Sequence, residues 1–107
     1  MPPWKQYNDT APGAQPGYAL ALTLTLPDGS QQEVRFDGIE GDYVIDRKWS
    51  IVDSACGREQ AFRQSAVLEQ QRSFATWEVP SQQQKTRAVH FLKKLGIRNI
   101  KVRMVAP

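Results

Sequence analysis

The residues of this chain whose types and spacing could do chemistry are Asp37, Asp46 and Lys48. Side chains alternate between the two faces of an extended strand, so Asp46 and Lys48 are expected on the same face. If the strand before them runs antiparallel, Asp37 comes to lie beside Asp46. Two neighbouring carboxylates offer hard oxygen ligands to Mg²⁺, and the lysine would be close enough to reach a bound phosphate. This layout is the one that metal-dependent hydrolysis of a phosphodiester bond requires.

The Asp-x-Lys sequence also has a simpler interpretation. On a solvated strand Asp46 and Lys48 would only interact laterally, which stabilises a protein by about a few tenths of a kcal/mol. Two features favour chemistry. The residues around the pair are apolar, and charged groups within an apolar strand of a small domain require a partner. In addition, five carboxylates within fourteen residues repel one another unless cations or hydrogen bonds offset them. They are Glu33, Asp37, Glu40, Asp42 and Asp46.

Length and composition predict one domain with a small core, since the chain has 107 residues of which 40% are hydrophobic. No run of eighteen apolar residues is present and the N-terminus lacks the apolar core of a signal peptide, so we expect a soluble piece without visible targeting information. Residues 1–17, rich in proline and glycine, are expected to be a linker or irregular arm, and residues 18–107 the functional domain.

The cysteine and histidine content excludes several kinds of site. The single cysteine, Cys56, cannot form an internal disulfide or a zinc knuckle. Only one histidine, His90, is available as a base, which disfavours both a cysteine nucleophile and a metal-free ribonuclease with two histidines. We expect Cys56 to be a small residue near a helix start and His90 to be a structural or surface residue.

Charge is divided unevenly along the chain. No acidic residue follows Glu78, so residues 79–107 carry a net charge of +7 and the rest of the chain −4. A basic segment beside an acidic cluster suits an enzyme that holds a polyanion and binds the metal that cleaves it. A solvated basic helix face or an acidic protein partner would also explain the segment.

The elements that must position these residues follow the order β-β-β-α-β-α-β. Strands are predicted over 18–26, 31–37 and 43–52, with turns at 27–30 and 38–42 between them. A helix over about 57–73, a short strand over 76–79, a helix from a Ser81-x-x-Gln84 capping box to Gly96 and a strand over 97–105 follow. An antiparallel three-strand meander followed by α-β-α-β predicts an α+β domain with a mixed central sheet.

Aromatic and apolar residues on these strands are expected to face inward. Trp49 and Trp77 are predicted in the core rather than as base-stacking platforms. Ile100, Val102 and Met104 are predicted on the inner face of the last strand.

This element order, with Asp37 late in the second strand and Asp46-x-Lys48 in the third, resembles the core of the PD-(D/E)XK, or restriction-endonuclease-like, superfamily. The sequence is most similar to the restriction-endonuclease-fold toxin domains at the C-termini of bacterial polymorphic, contact-dependent and type VI secreted effectors. The matching sequence segments are Phe36-Asp37-Gly38, Ile45-Asp46-Arg47-Lys48-Trp49, Arg63-Gln64, Trp77-Glu78-Val79-Pro80 and Leu95-Gly96-Ile97. The resemblance covers about residues 18–105 and departs from the superfamily motif at Phe36, where a proline is usual.

The resemblance implies roles for the central residues. Asp37 and Asp46 would ligate Mg²⁺ or Mn²⁺, and Lys48 would orient the attacking water and stabilise charge on the phosphorane. Gln64 matches a position where such nucleases place a polar helper, although a solvent-facing glutamine fits the residues equally well.

A third metal carboxylate is also expected. No helix with a metal-binding glutamate is evident before the first strand, so either Glu33, on the Asp37 face, or Glu40, in the predicted turn, would complete the site.

The function implied is that of a metal-dependent endonuclease, a DNase toxin secreted or delivered into the cytoplasm of a target cell as the C-terminal part of a larger effector. An acidic cognate immunity protein would neutralise it. An RNase or tRNase toxin of the same fold and a non-catalytic nucleic-acid- or protein-binding domain remain the alternatives. Contacts to the nucleic acid are expected from basic residues on the two helices, unless these form a solvated face. They are Arg58, Arg63, Lys85, Lys93 and Lys94.

Overall fold

The computed structural model describes Tyr7 and residues 20–107, which form an α+β domain with six strands and two long helices. The strands are β1 (Leu20–Thr25), β2 (Gln31–Phe36), β3 (Gly38–Glu40), β4 (Tyr43–Arg47), β5 (Phe74–Val79) and β6 (Ile100–Met104). The helices are α1 (Ala55–Gln71) and α2 (Gln82–Lys94). The predicted class, an α+β domain with a mixed sheet, is confirmed.

The β1–β2 hairpin forms because leucines alternate with small or polar residues along β1. Leu24 on the apolar face is buried, and the other leucines of that face pack against the core. Leu26 N–H donates to the Ser30 carbonyl at 2.8 Å to close the turn. Gly29 within the turn has a φ of 85°, a left-handed conformation that favours glycine.

The remaining strands form a four-stranded mixed sheet in the order β3-β4-β5-β6. β3 pairs with β4 antiparallel, whereas β4, β5 and β6 are parallel. Parallel neighbours need a crossover connection, which α1 and α2 provide. Both helices lie on the same face of the sheet, since Gln64 of α1 and Phe91 of α2 both contact Trp77 of β5.

The predicted three-strand meander is divided between two sheets, which corrects the prediction. The chain leaves the hairpin at Phe36 and enters the four-stranded sheet at Gly38, so Asp37 occupies the junction. The predicted turn over 38–42 is tighter than expected because Gly41, with a φ of 60°, supplies the reversal near its end. Residues 38–40 are therefore free to pair with β4 as an additional short strand.

The third predicted strand, 43–52, ends early at Arg47. Its neighbour β5 ends at Val79 before Pro80, so only one further ladder bond forms, from Lys48 N–H to the Glu78 carbonyl at 2.8 Å. Trp49 lies beyond the strand and is 38% exposed, so its predicted core position is wrong, whereas Trp77 is buried as predicted.

Both predicted helices form with small shifts of their ends. Ser54 caps α1 by accepting from Gly57 N–H at 3.0 Å, and Ser81 caps α2 by accepting from Gln84 N–H at 3.2 Å. The predicted capping box is only half formed, because Gln84 Oε1 instead accepts from Ile51 N–H at 2.9 Å.

The last strand is also shorter than the predicted 97–105. Ile100 on β6 is buried and Val102 half-buried, but Met104 at the sheet edge is 46% exposed, so its predicted inward position is wrong.

The predicted N-terminal arm lies almost entirely outside the described residues. Of the arm, Tyr7 is described and is buried, with its ring 5.9 Å from the Trp49 ring in an edge-on arrangement. In the part of the chain that the structure describes, neither helix has the length and apolar character needed to span a membrane.

Candidate functional site

Asp37 and Asp46 are brought together by the pairing of the β2–β3 junction with β4. Asp37 N–H donates to the Ile45 carbonyl at 2.8 Å, and Arg47 N–H donates to Asp37 Oδ2 at 2.8 Å. Ile45 and Arg47, which flank Asp46, therefore both form hydrogen bonds with Asp37. As the antiparallel arrangement predicts, the Asp37 carboxyl group lies close enough to the Asp46 carboxyl group for hydrogen bonding and charge to affect its pKa.

The electrostatics of Asp37 follow from this packing. Burial raises the pKa of Asp37 to about 7, and the hydrogen bond and the charge of Asp46 contribute to the rise. The Arg47 N–H and the Lys48 ammonium favour the ionised carboxylate and lower the pKa, but they do not offset the rise. Two adjacent carboxylates that resist simultaneous ionisation are a site where a cation would be strongly favoured.

Lys48 lies beside the carboxylates. Its Nζ is 3.0 Å from Asp46 Oδ2, which agrees with the expectation that the two side chains share a face. Nζ also donates to Gln60 Oε1 at 2.6 Å and lies 4.9 Å from the centre of the Trp77 ring. The ammonium group is thus held by a carboxylate, an amide and an aromatic face.

Gln64 links the carboxylate site to the core. It is fully buried, with Nε2 donating to Asp46 Oδ2 at 2.7 Å and Oε1 accepting from Trp77 Nε1 at 2.8 Å. The alternative that Gln64 faces solvent is therefore excluded. Its place beside Asp46 matches the position where a polar helper was expected.

Sequence reasoning missed Gln60 as a partner of Lys48. Gln60 and Gln64 are four residues apart on α1, so their side chains lie on the same side of the helix, one turn apart. The spacing of two glutamines by four residues, after an Asp-x-Lys sequence, was the pattern that could have identified Gln60.

The two candidates for a third metal carboxylate lie elsewhere. Glu33 is exposed on β2, where it lines a cleft, and Glu40 is bound by Arg103 at 2.8 Å. Strand alternation places Glu40 on the sheet face opposite Asp46, because Glu40 pairs with Tyr43 and Tyr43 faces away from Asp46. Among the described residues, no group of three or more histidine, cysteine, aspartate or glutamate side chains is placed to hold a metal.

The opposite face of the sheet carries a buried charge cluster that sequence reasoning did not identify. Glu78 is fully buried, with Oε1 accepting from Arg47 Nε at 2.8 Å and Oε2 accepting from Arg103 Nε at 3.0 Å. The parallel register brings Arg47, Glu78 and Arg103 side by side. Tyr7 covers the cluster, with its ring centre 4.9 Å from the Arg47 guanidinium.

Two clefts meet at Gln60 and Gly57 beside the lysine. The larger, of about 470 Å³, lies between β2 and α1. Its lining residues are Glu33, Val34, Arg35, Cys56, Gly57, Gln60, Arg63 and Gln64. The smaller, of about 170 Å³, is lined by Lys48, Gln60 and Trp77 among others. Gly57 is packed so closely that a β-carbon there would lie 2.6 Å from the Val52 carbonyl oxygen.

The five basic residues predicted to contact nucleic acid are not brought together. Arg63 lines the larger cleft, whereas Arg58 and Lys94 both bind Asp53, at 2.7 Å and 2.9 Å. Lys85 and Lys93 are on α2 and line neither cleft.

His90 and Cys56, which were considered as reactive groups in the sequence, occupy exposed positions. His90 on α2 lines a surface depression with Asp53 and Arg87, and Cys56 is exposed in the first turn of α1 as expected.

Comparison with known proteins found no match for this chain among protein-family models, among curated proteins or among solved structures.

Proposed function

We propose that this domain is a metal-dependent nuclease that hydrolyses phosphodiester bonds. The observation that carries the proposal is the pairing that sets Asp37 beside Asp46, with the Lys48 ammonium 3.0 Å from Asp46. Two carboxylates and a lysine on one sheet face suit a reaction on a polyanion, and the lysine lines one of the two open clefts that meet at Gln60.

The donor set fits Mg²⁺ or Mn²⁺. Both donors are carboxylates, which are hard oxygen ligands, and Mg²⁺ is typically held by one or two carboxylates together with waters and substrate phosphates. The raised pKa of Asp37 supports a cation here, because its neighbour Asp46 makes a second negative charge unfavourable without one. Asp37 and Asp46 would hold the cation, whose chemistry would be to neutralise charge on a non-bridging phosphate oxygen and to lower the pKa of an attacking water.

The chain's own residues hold this arrangement in place. Arg47 N–H fixes Asp37, and Gln64 Nε2 fixes Asp46 from the opposite direction. Lys48 presents a positive charge beside Asp46 that can stabilise developing charge on the phosphoryl group. Gln60 holds the ammonium so that the charge is already positioned when the substrate binds.

The biological setting is proposed from the resemblance and from charge. In an effector toxin, the basic segment 79–107, with its net charge of +7, would attract DNA, and an acidic immunity protein would compete for the same surface. The carboxylates and lysine act on the phosphate and do not distinguish deoxyribose from ribose, so the substrate test includes both nucleic acids.

The experiment is cleavage by the purified protein of supercoiled plasmid and of total RNA, with Mg²⁺ or with EDTA. We expect nicking of the plasmid that requires Mg²⁺ and that falls at least about 100-fold in Asp46→Ala and Lys48→Ala. Glu69→Ala, at an exposed position on α1, is the matched control and should cleave normally.

Two results would count against the proposal. One is a folded wild-type protein that cleaves neither plasmid nor RNA with Mg²⁺ or Mn²⁺, which would favour a binding domain. The other is cleavage that persists in EDTA or in Asp46→Ala. Selective degradation of RNA would support the metal-dependent mechanism and would make RNA, in place of DNA, the substrate.

A further inference from the structure

We propose that the cleft between β2 and α1 binds the phosphate backbone of the substrate through Arg35 and Arg63. The inference rests on the proposed nuclease function and names how that site would recognise its substrate. Arg63 was one of several basic residues expected to meet nucleic acid, whereas Arg35 was not among them.

The position of the cleft connects it to the carboxylates. Arg35 on β2 and Arg63 on α1 belong to its two walls, and Gln60 and Gln64 also line it. Gln60 contacts Lys48 and Gln64 contacts Asp46. A strand of nucleic acid in this cleft would therefore lie directly beside the groups proposed to act on the scissile phosphate.

The orientation of Arg35 follows from strand alternation. Val34 and Phe36 on β2 are buried, so Arg35 lies on the other side of the strand. Asp37, two residues further along, continues the same alternation at the junction with β3. Two residues of extended chain advance by about 6.6 Å, so Arg35 is next to the end of the cleft that is nearest to Asp37.

Within residues 20–107, the charge of the two arginines is little offset by carboxylates. Arg35 forms no ion pair with a carboxylate of the described residues, and Arg63 has one contact, 3.8 Å from the exposed Glu59. A long exposed contact of this kind contributes little and is easily exchanged for a phosphate.

Arg58 and Arg103 differ in this respect. Arg58 is bound to Asp53 at 2.7 Å, and Arg103 is bound to both Glu40 and Glu78. A phosphate would have to displace these carboxylates, whereas the two arginines of the cleft are open to it and share their cleft with Gln60 and Gln64, which contact Lys48 and Asp46. Guanidinium groups also match phosphate oxygens in a bidentate geometry.

The chemistry of the remaining lining predicts recognition of the backbone and not of the bases. No aromatic side chain is among the residues that line the cleft within the described chain, so there is no surface on which a base would stack. Among the described residues that line the cleft, Glu33 is the single carboxylate, and its charge would keep a phosphate away from the end of the cleft where it lies. The substrate class is therefore a nucleic-acid strand held by its phosphates without sequence preference.

The experiment measures binding apart from cleavage. Fluorescein-labelled oligonucleotides of several unrelated sequences, single-stranded and duplex, are titrated with protein in EDTA at a series of salt concentrations. We expect Arg35→Gln and Arg63→Gln to weaken binding equally for all sequences. Each should reduce the slope of log K against log salt concentration by about 0.7 for single strands or about 0.9 for duplex.

Cleavage kinetics give a second measurement on the same variants. With Mg²⁺, KM should rise in Arg35→Gln and Arg63→Gln while kcat stays within about twofold, as expected for lost uniform binding. Arg72→Gln, at the C-terminal end of α1, removes the same charge outside the cleft and outside the basic segment, and is the control that should bind and cleave like the wild-type protein. Circular dichroism and thermal unfolding confirm that each variant is folded.

The possible outcomes separate the two proposals. Wild-type protein that cleaves while both arginine variants keep their salt slope and KM would overturn the phosphate cleft and leave the nuclease function standing. Arginine-dependent binding without any cleavage would do the reverse. Absence of binding by the wild-type protein, or affinity that depends on base sequence, would overturn the backbone-binding cleft.

Discussion

The indole N–H of Trp77 donates to Gln64 Oε1 at 2.8 Å, and this bond decides which end of the Gln64 amide faces Asp46. An indole N–H can only donate, so it requires the amide oxygen on its own side. The amide nitrogen then points at Asp46 Oδ2, 2.7 Å away. A buried core residue thus controls the hydrogen bonding of a proposed metal ligand.

Replacement of this donor should weaken the site while leaving the core packed. Trp77→Phe removes the N–H, so the buried Gln64 oxygen loses its partner at a cost of about 1–3 kcal/mol. We expect a lower kcat and a higher Mg²⁺ concentration for half-maximal cleavage, both measured by plasmid nicking. The melting temperature should also be lower. Trp49→Phe, outside this hydrogen-bond chain, is the matched control. Unchanged metal dependence in a destabilised Trp77→Phe would make the indole a packing residue alone.

Gln60 should act on Lys48 and not on stability. Because Gln60 is exposed, Gln60→Ala should change the free energy of unfolding by less than about 0.5 kcal/mol. Without its acceptor the Lys48 ammonium is held less firmly, so kcat should fall about tenfold while the Mg²⁺ requirement stays the same. Gln83→Ala, an exposed glutamine on α2, controls for the substitution type. A normal kcat in Gln60→Ala would remove Gln60 from the mechanism.

Asp37 should make the stability of the metal-free protein fall as pH rises. Its folded-state pKa of about 7 lies above the ordinary aspartate pKa of 3.8, so between these values the folded protein binds more protons than the unfolded chain. The contribution is fully present below about pH 4 and is lost as pH rises through 7. We expect the melting temperature in EDTA to decrease from pH 5 to pH 8.

The control for this pH effect is Asp37→Asn, which keeps the side-chain shape and cannot ionise. It should abolish the decrease between pH 5 and pH 8. Mg²⁺ should raise the melting temperature of the wild-type protein more at pH 8 than at pH 5.5, because binding requires the ionised carboxylate. An identical pH profile for the wild-type protein and Asp37→Asn would show that another group is responsible.

Local patterns were sufficient to predict the centre of the site. Strand alternation alone gives the shared face of Asp46 and Lys48, and the hairpin turn and Ser81 cap follow from residues close in sequence. The capped helix starts and the mixed sheet needed no information beyond composition and periodicity.

Features that depend on distant packing could not be predicted in this way. Glu40 faces away from Asp46 because the predicted turn became a strand whose register sets its face. The contact of Gln64 with Trp77 depends on where α1 crosses the sheet, and Glu78 meets Arg103 only through the parallel register of β5 and β6. Such pairings link residues far apart in the chain, and no local periodicity reports them.

The charge cluster on the opposite face should be a stability element. Glu78→Gln leaves Arg47 and Arg103 without their shared carboxylate, and the removal of one partner from a buried ion pair costs about 3–5 kcal/mol. The value should lie at the lower end because Arg103 is partly exposed. Urea denaturation measures the loss, with Glu69→Gln as the exposed control. A loss below about 1 kcal/mol would contradict this account.

Substitution of Glu33 and Glu40 tests whether the metal site has two carboxylates or three. Asp46→Asn should raise the Mg²⁺ concentration for half-maximal cleavage at least about tenfold. Glu33→Gln and Glu40→Gln should each leave that concentration within about twofold of wild type. This is expected because Glu40 is bound to Arg103 on the other face and Glu33 lies four positions before Asp37 along an extended strand.

The two glutamate variants should nevertheless differ from each other in substrate binding. Glu33→Gln removes the one carboxylate that lines the phosphate cleft and should lower KM, whereas Glu40→Gln should leave KM unchanged. A tenfold rise in the Mg²⁺ requirement of Glu33→Gln would instead make Glu33 a metal ligand. In that case the strand around Asp37 would have to bend further toward β4 when the cation binds, because the extended spacing of about 13 Å between positions 33 and 37 is too long for a shared ion.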